Sequence, residues 1–347
     1  MDRLKKQIEL LLLLAGMAFV FPACESVLDL NDDECEYTVQ IRYDYNRENT
    51  SETNLLTEFV HSIDEYIFDE QGILYAVNSV APDVCDGVWR SEYSLPPGRY
   101  SLIAYGNRTG VNSVNEAVIG KTTRDEMLLT PDNPYVGLSD GTQTHGDRLY
   151  HAYRTFTVAP TGASLIRADM THAHFGLWFR IRWKNTSRAP ANTEDFYTVM
   201  NDVPSQYSFM PEYIERDFVT QKHDCDNDDE YNTICQKSIH HIPMVHQEGC
   251  EKLAHRSDVR MNVGKQFNGY FIAYRVRNET PLTMSFHGNN NQIFTVDLQR
   301  QFFETYGIEL DRNLRQEFAI EIIVDENGGT TVQEMDIANW DEGGSIW

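Results

Sequence analysis

The sequence predicts an all-β protein built from two β-sandwiches in tandem. Three observations carry this. Two stretches alternate apolar and polar side chains one by one, turn chemistry recurs between short apolar runs, and a single segment has helical character. Period-2 alternation puts successive side chains on opposite faces of an extended strand, so one face can be buried while the other meets water. Many short strands with turn residues between them belong to sandwiches rather than to α/β folds.

The elements follow in order. Residues 36–45 place Tyr37, Val39, Ile41, Tyr43 and Tyr45 on one side and Thr38, Gln40, Arg42 and Asp44 on the other. Residues 59–68 and 73–77 flank Asp69-Glu70-Gln71-Gly72 and read as a hairpin. Residues 88–95 and 99–105 flank Pro96-Pro97-Gly98, where proline presets φ and glycine permits a positive one. Residues 107–147, rich in Asn, Gly, Thr and Asp, read as long loops with a short strand at 127–129. A strand at 149–158 completes about seven before residues 159–163, Ala-Pro-Thr-Gly-Ala, which read as a linker. Residues 36–158 are thus the first sandwich and 164–347 the second.

The second sandwich opens on 175–183, with Phe175, Leu177, Phe179, Ile181 and Trp183 sharing a face. Residues 206–209 form a weaker strand, and 217–251 are polar and loop-like. Strands follow at 266–276, 282–286, 292–298 and 318–324, with one short helix at 298–306. No solenoid-type repeat is present.

Ahead of the strands lies a different kind of segment. Asp2, Arg3, Lys5 and Lys6 precede an apolar run containing Leu10 to Leu14 and Phe19-Val20-Phe21, closed by Pro22-Ala23-Cys24. A charged head, an apolar core and a small residue before the break describe an export signal, residues 1–23, cut after Ala23. The cysteine directly behind the cut resembles that of a bacterial lipoprotein signal, so Cys24 would carry the lipid and the acidic residues 24–35 would be a tether. An ordinary signal peptide and an uncleaved anchor are the competing readings. Pro22 and an apolar run shorter than the ~20 residues of a membrane span count against the anchor.

The chain of 347 residues has net charge −24 and is 41% hydrophobic and 12% aromatic, enough for packed cores. Residues 1–23 hold three Lys/Arg (Arg3, Lys5, Lys6) and two acids (Asp2, Glu9), which leaves 26 basic and 51 acidic residues, net −25, behind the cut. That sign opposes nucleic-acid binding and adhesion to anionic lipid by charge. Membrane attachment would need a covalent lipid.

With Cys24 lipidated, five cysteines remain: Cys35, Cys85, Cys225, Cys235 and Cys250. An exported chain meets an oxidising compartment. Cys35 with Cys85 could staple the first sandwich and two of the other three the second, leaving one free thiol; spacing does not decide the pairing. The absence of a CxxC pair argues against a zinc ribbon or a thioredoxin-type site.

Motifs for chemistry are sparse. The chain has no HExxH, P-loop or Rossmann fingerprint, so no catalytic or cofactor-binding residue is expected. Residues 224–230 resemble the start of a calcium loop, but Asp229 stands where glycine is needed and Cys235 where the closing glutamate is needed, so a solvated acidic loop is the better reading. His172 and His174 would share one face of a strand, but no matching carboxylate or cysteine spacing accompanies them or His240, His241 and His246; no metal site is expected. Trp89, Trp178, Trp183, Trp340 and Trp347 could form a sugar platform, though at strand spacing tryptophan is more often core.

Three segments together carry a family resemblance: Tyr37-Thr-Val-Gln-Ile-Arg-Tyr43-Asp44-Tyr45-Asn46; then Phe59 through Ile67-Phe68-Asp69 to Gly72; then Trp89 to Leu95 and Pro97-Gly98-Arg-Tyr100 to Gly106-Asn107. In this order, just behind a cysteine of the lipoprotein kind, they resemble the FimB-type anchor subunits of type V fimbriae, the minor lipoproteins at the fibre base. The resemblance is clearest over residues 24–110. It implies two transthyretin-like β-sandwich domains, no catalysis, a lipid anchor in the outer membrane, stalk subunits as partners and control of fibre length. In such fimbriae a stalk subunit loses its first strand to an arginine-specific protease, and the open groove takes a strand from the next subunit, main chain completing the sheet. Here residues 36–45 should instead stay in place, because cutting them away would part the body from Cys24. Arg42 and Arg47 are the nearby arginines, and Arg42 should be shielded by pairing. The stalk-contacting element would then lie in 318–347. A cell-surface glycan- or ligand-binding lipoprotein is the alternative.

Overall fold

The computed structural model describes residues 38–46, 53–81, 88–108, 112–131, 148–190, 196–209, 211–213, 241–243, 252–258, 260–262, 266–288 and 291–335. Nearly all of its regular structure is strand. The first half carries β1 (Val39–Asp44), β2 (Ile63–Phe68), β3 (Leu74–Val80), β4 (Arg90–Tyr93), β5 (Gly98–Gly106), β6 (Asn112–Val114), β7 (Leu128–Pro131), β8 (Tyr150–Val158), β9 (Ser164–Asp169) and β10 (Thr171–His172). The second carries β11 (His174–Trp183), β12 (Phe196–Pro204), β13 (Tyr207–Ser208), β14 (Pro211–Tyr213), β15 (His241–Pro243), β16 (Lys252–Asp258), β17 (Arg260–Asn262), β18 (Gln266–Tyr274), β19 (Thr283–Gly288), β20 (Asn291–Asp297), β21 (Gln316–Val324) and β22 (Thr330–Glu334). The expected helix near 298–306 forms as a π turn, Gln299–Phe303, running into Glu304–Tyr306, and ends at Gly307 with φ +64°. Glycine takes that left-handed conformation without the Cβ clash other residues meet.

The two halves repeat one topology. In the first, a sheet ordered β4-β1-β9 faces a sheet ordered β10-β8-β5-β2-β3. In the second, β18-β11-β21 corresponds to β4-β1-β9, and β20-β19-β12-β16 to β8-β5-β2-β3. The directions agree too. β1 runs antiparallel to β4 and parallel to β9, as β11 runs antiparallel to β18 and parallel to β21. In each half the leading strand therefore sits in the middle of its sheet, joined to the closing strand by a parallel ladder.

Three apolar layers hold this together. Val39, Ile41, Ile67, Leu102, Ala152 and Ala168 belong to the core between the first pair of sheets. Phe179, Ile181, Phe267, Phe286, Val296 and Ile320 belong to that between the second pair. A third layer lies on the back of the β2–β5–β8 sheet, where Tyr66, Ile103 and Tyr105 meet Met127 and Leu129, and Tyr207, Phe209 and Tyr274 of the second half. With cores on both faces, β2 is buried along its whole length. A sheet covered on both sides loses the apolar–polar alternation that marks a half-exposed one.

Sheet pairing crosses the expected linker. Residues 159–163 form the bend from β8 into β9, and β9 lies beside β1 over Val39↔Ser164 to Asp44↔Asp169. β10 pairs back onto β8, so the step from the first set of sheets to the second falls at Ala173. The loop-rich stretch after residue 107 also holds more than expected: β6 and β7 pair, and β13 of the second half adds to β7.

Candidate functional site: the first strand and the junction behind it

β1 is seated from three sides. Its backbone is laddered to β4 and β9, and Val39, Ile41, Tyr43 and Tyr45 point inward at 2% exposure or less, the face that alternation assigned. Gln40 is outward and donates to Glu92 at 2.8 Å, while Arg42 has its side chain half exposed and its backbone paired to both neighbours. Asn54 ties off the end: its Oδ1 accepts from the backbone N–H groups of Tyr45 and Leu56, and its Nδ2 donates to Asp44 at 2.6 Å. Burial raises the Asp44 carboxyl above its ordinary range, opposed by Arg167, 2.9 Å away, and Arg42.

Beneath β1 lies a fully buried carboxylate, Glu65 of β2. Tyr43 donates to Oε1 at 2.6 Å and Ser91 to the same oxygen at 2.5 Å. Oε2 accepts from the Tyr93 hydroxyl, and from Asn78 at 3.2 Å. Burial first, and then the carboxylate's charge, push the Tyr43 and Tyr93 hydroxyls well above their usual value, so both keep the protons they donate. A buried ion is tolerable only when its lone pairs are met in this way. Glu65 therefore stitches β1, β2, β3 and β4 together. The sequence offers no signal for it, because a Glu inside an apolar strand looks the same whether it faces water or core.

Behind the end of β1 is the second cluster. His172 and His174 do share a face, with rings stacked 4.6 Å apart, and both are almost fully buried. The Tyr45 hydroxyl lies 2.6 Å from His172 Nε2, and the Tyr150 ring stands edge-on to His172 at 5.2 Å. His174 Nδ1 lies 2.8 Å from the Leu149 carbonyl. A carbonyl only accepts, so Nδ1 donates there, and Nε2, 3.4 Å from Glu317 Oε1, donates to that carboxylate only when the ring carries both hydrogens. Glu317 comes from β21, far along the chain, which is why spacing did not reveal it. Arg315 donates to its Oε2 at 2.7 Å, and Arg148 Nε stands 3.5 Å from Oε1. Burial alone would raise the Glu317 carboxyl; the His174 hydrogen bond and the neighbouring positive charges, Arg148 among them, outweigh it and hold Glu317 well below the usual carboxylate range.

His172, His174 and Glu317 offer three ligand atoms within 4.8 Å of one another. The charge around them is wrong for a metal: a divalent cation there would join Arg148 and Arg315 against one carboxylate. The arrangement is that of a buried ion network bracing the junction. Arg275, 1% exposed, braces it further by donating to the carbonyls of His172 (3.2 Å), Leu314 (2.6 Å) and Asn313 (2.5 Å).

The remaining expected residues distribute as follows. Trp89 and Trp183 are core. Trp178 is half-buried on the outer face of β11, its ring 5.1 Å from Tyr270. β21 lies between β11 and β22 and buries Ile320 and Ile322, so among the described residues of the 318–347 element β22 is the edge. Ala23, Cys24, Cys35, Arg47, Cys85, Cys225, Cys235, Cys250, the acidic run 224–230, His240, His246, Trp340 and Trp347 lie outside the described residues. Among the described residues no helix is long and apolar enough to cross a membrane.

A family model described as fimbrillin-A associated anchor proteins Mfa1 and Mfa2 matches residues 31–343. The chain belongs to this family. Its members are structural fimbrial anchor proteins of the cell envelope rather than enzymes. The minor fimbrium anchoring subunit Mfa2 of Porphyromonas gingivalis is 29% identical over 125 residues, 35% of this chain and 38% of that protein, so the aligned part spans less than half of the relative. Among solved structures, the P. gingivalis fimbrial anchor protein Mfa2 superposes with TM-score 0.54 at 14% identity, covering 85% of this chain and 95% of the other. A candidate polysaccharide-binding protein of Bacteroides thetaiotaomicron gives 0.59 at 10% identity, covering 88% of this chain and all of the other. At these identities the superpositions establish a shared fold.

Proposed function

We propose that this protein is the lipid-anchored base of a fimbrium, of the FimB type, held in the outer membrane through an acyl-modified Cys24 and contacting stalk subunits through strand pairing. The observation that carries this reading is the seat of β1. The first described strand after Cys24 is the middle strand of its sheet, paired on both sides and pinned through Tyr43 to Glu65. An anchor must not be separable from its tether, and this strand is not an edge that a protease could strip from a folded body. The repeated topology supports two tandem transthyretin-like sandwiches, divided near Ala173 with β9 counted in the first. Export would cut after Ala23, residues 24–35 would serve as tether, and disulfides would form among Cys35, Cys85, Cys225, Cys235 and Cys250. The stalk contact belongs at β22 and the chain beyond it.

The test is metabolic labelling with an alkyne fatty acid, comparing the native protein with Cys24→Ser. The reading expects label on the native protein only, and the variant released from the membrane fraction. A labelled or membrane-retained Cys24→Ser protein would contradict it.

The alternative, a surface glycan-binding lipoprotein, has one observation in its favour: the Trp178–Tyr270 pair on an outer sheet face. Glycan binding that is lost in Trp178→Ala, with fibres still attached, would favour it.

A further inference from the structure

His172 occupies the point where three parts of the molecule meet. Tyr45, at the end of β1, reaches its Nε2; Arg275, at the end of β18, holds its carbonyl; and the next residue, Ala173, donates its backbone N–H to Leu149 at the head of β8. We propose that His172 is an acid-sensitive latch, which in its neutral form ties the end of β1 to the junction between the two halves and on taking up a proton loosens both.

The geometry explains why a proton is unwelcome. The imidazole is 2% exposed and enclosed by the rings of Tyr45, Tyr150 and His174 at 5.8, 5.2 and 4.6 Å. Among the described residues, the charged and titratable groups facing it are His174 on its own segment, Glu317 and Arg315 from the β21 end, Arg275 from the β18 end, the Tyr45 hydroxyl and the Tyr150 ring, with Arg148, ahead of β8, on the far side of Glu317's ion pair. Glu317, the one anion, is already engaged by Arg315, Arg148 and His174. A charge on His172 would thus be buried beside Arg315 and Arg275, and the attraction of Glu317 is outweighed by that burial. Burial first, and then the His174 neighbour, hold His172 well below the ordinary histidine value.

The sign follows. In the unfolded chain His172 protonates near pH 6.5, and in the folded chain only at lower pH. Between those values the unfolded state binds one more proton, so its stabilising contribution is complete above about pH 6.5 and drains away as pH falls. Neither the latch nor its test depends on the fimbrial reading.

The experiment is urea unfolding of the full-length chain between pH 7.5 and 5, comparing native protein with His172→Phe, which keeps a ring in the cage but cannot titrate. Below about pH 6.5 the native folding equilibrium constant should fall about tenfold per pH unit more steeply than that of the variant. Equal slopes would overturn the proposal. Should His172→Phe not fold, imidazole NMR of the native chain decides: His172 still neutral at pH 6 supports the latch, and protonation at or above about pH 6.5 overturns it.

Discussion

At the residue scale, the strongest constraints are single side chains with no room to change. A Cβ on Gly269 would lie 2.2 Å from the Phe179 ring opposite it, a ring that is fully buried and stacked on Phe271. Gly269→Ala should therefore cost about 1–3 kcal/mol in urea unfolding, the range of overpacked cores. A loss below about 0.5 kcal/mol, the scale of an inert surface change, would mean that Phe179 turns aside freely. Glu65 gives a second case. Tyr43→Phe keeps the ring but takes away one donor to a buried carboxylate, which should cost about 1.5–3 kcal/mol, the value of a hydrogen bond to a charged group. An unchanged unfolding midpoint would show that another donor fills the vacancy.

At the scale of the element, β1 separates seat from surface. Ile41→Ala removes buried volume and should cost about 2–5 kcal/mol, while Gln40→Ala on the outer face should stay within about 0.5 kcal/mol. Native-state digestion with an arginine-specific protease should leave the Arg42–Tyr43 bond intact until the protein unfolds, since Arg42 is laddered to Arg90 and Arg167. Rapid cutting there under native conditions would show that β1 leaves its sheet. Such strands were also the most legible part of the sequence. β1 and β11 have one sheet face against a core, so their alternation survives and both were found, with ends within three residues of those expected. β2 was found by its apolar ends, although Asp64 and Glu65 inside it are buried. β9 (Ser-Leu-Ile-Arg-Ala-Asp) and β16 (Lys-Leu-Ala-His-Arg-Ser-Asp) were not legible, because polar strands need a partner to declare themselves. The partners lie far away: the parallel ladders β1–β9 and β11–β21 each join the opening and closing strands of a half, and local pattern carries no information about pairing at that distance. For the same reason the bend at 159–163 resembled a linker, and Glu317 could not be assigned to His172 and His174.

At the scale of the whole molecule, the third apolar layer decides whether the halves behave as one. Phe209 of the second half packs edge-on against Tyr66 and Tyr105 of the first, at 4.9 and 5.0 Å. With the Arg275 and Glu317 networks, this layer should make unfolding a single transition by every probe. Phe209→Ala should cost about 3–5 kcal/mol and, by weakening the shared layer, separate the transition into two. Two transitions already in the native protein would show that the layer does not couple the halves.

The central claim concerns what this acidic body does in the cell. Without charge to hold it to anionic lipid, it would depend on its tether, and the fibre on it. The most direct measurement is the amount and length of fimbriae in the cell-bound and shed fractions of cells with and without this protein. The account predicts that without it fibres are shed into the medium and their length is no longer limited. Fibres of unchanged length that stay on the cells would contradict it.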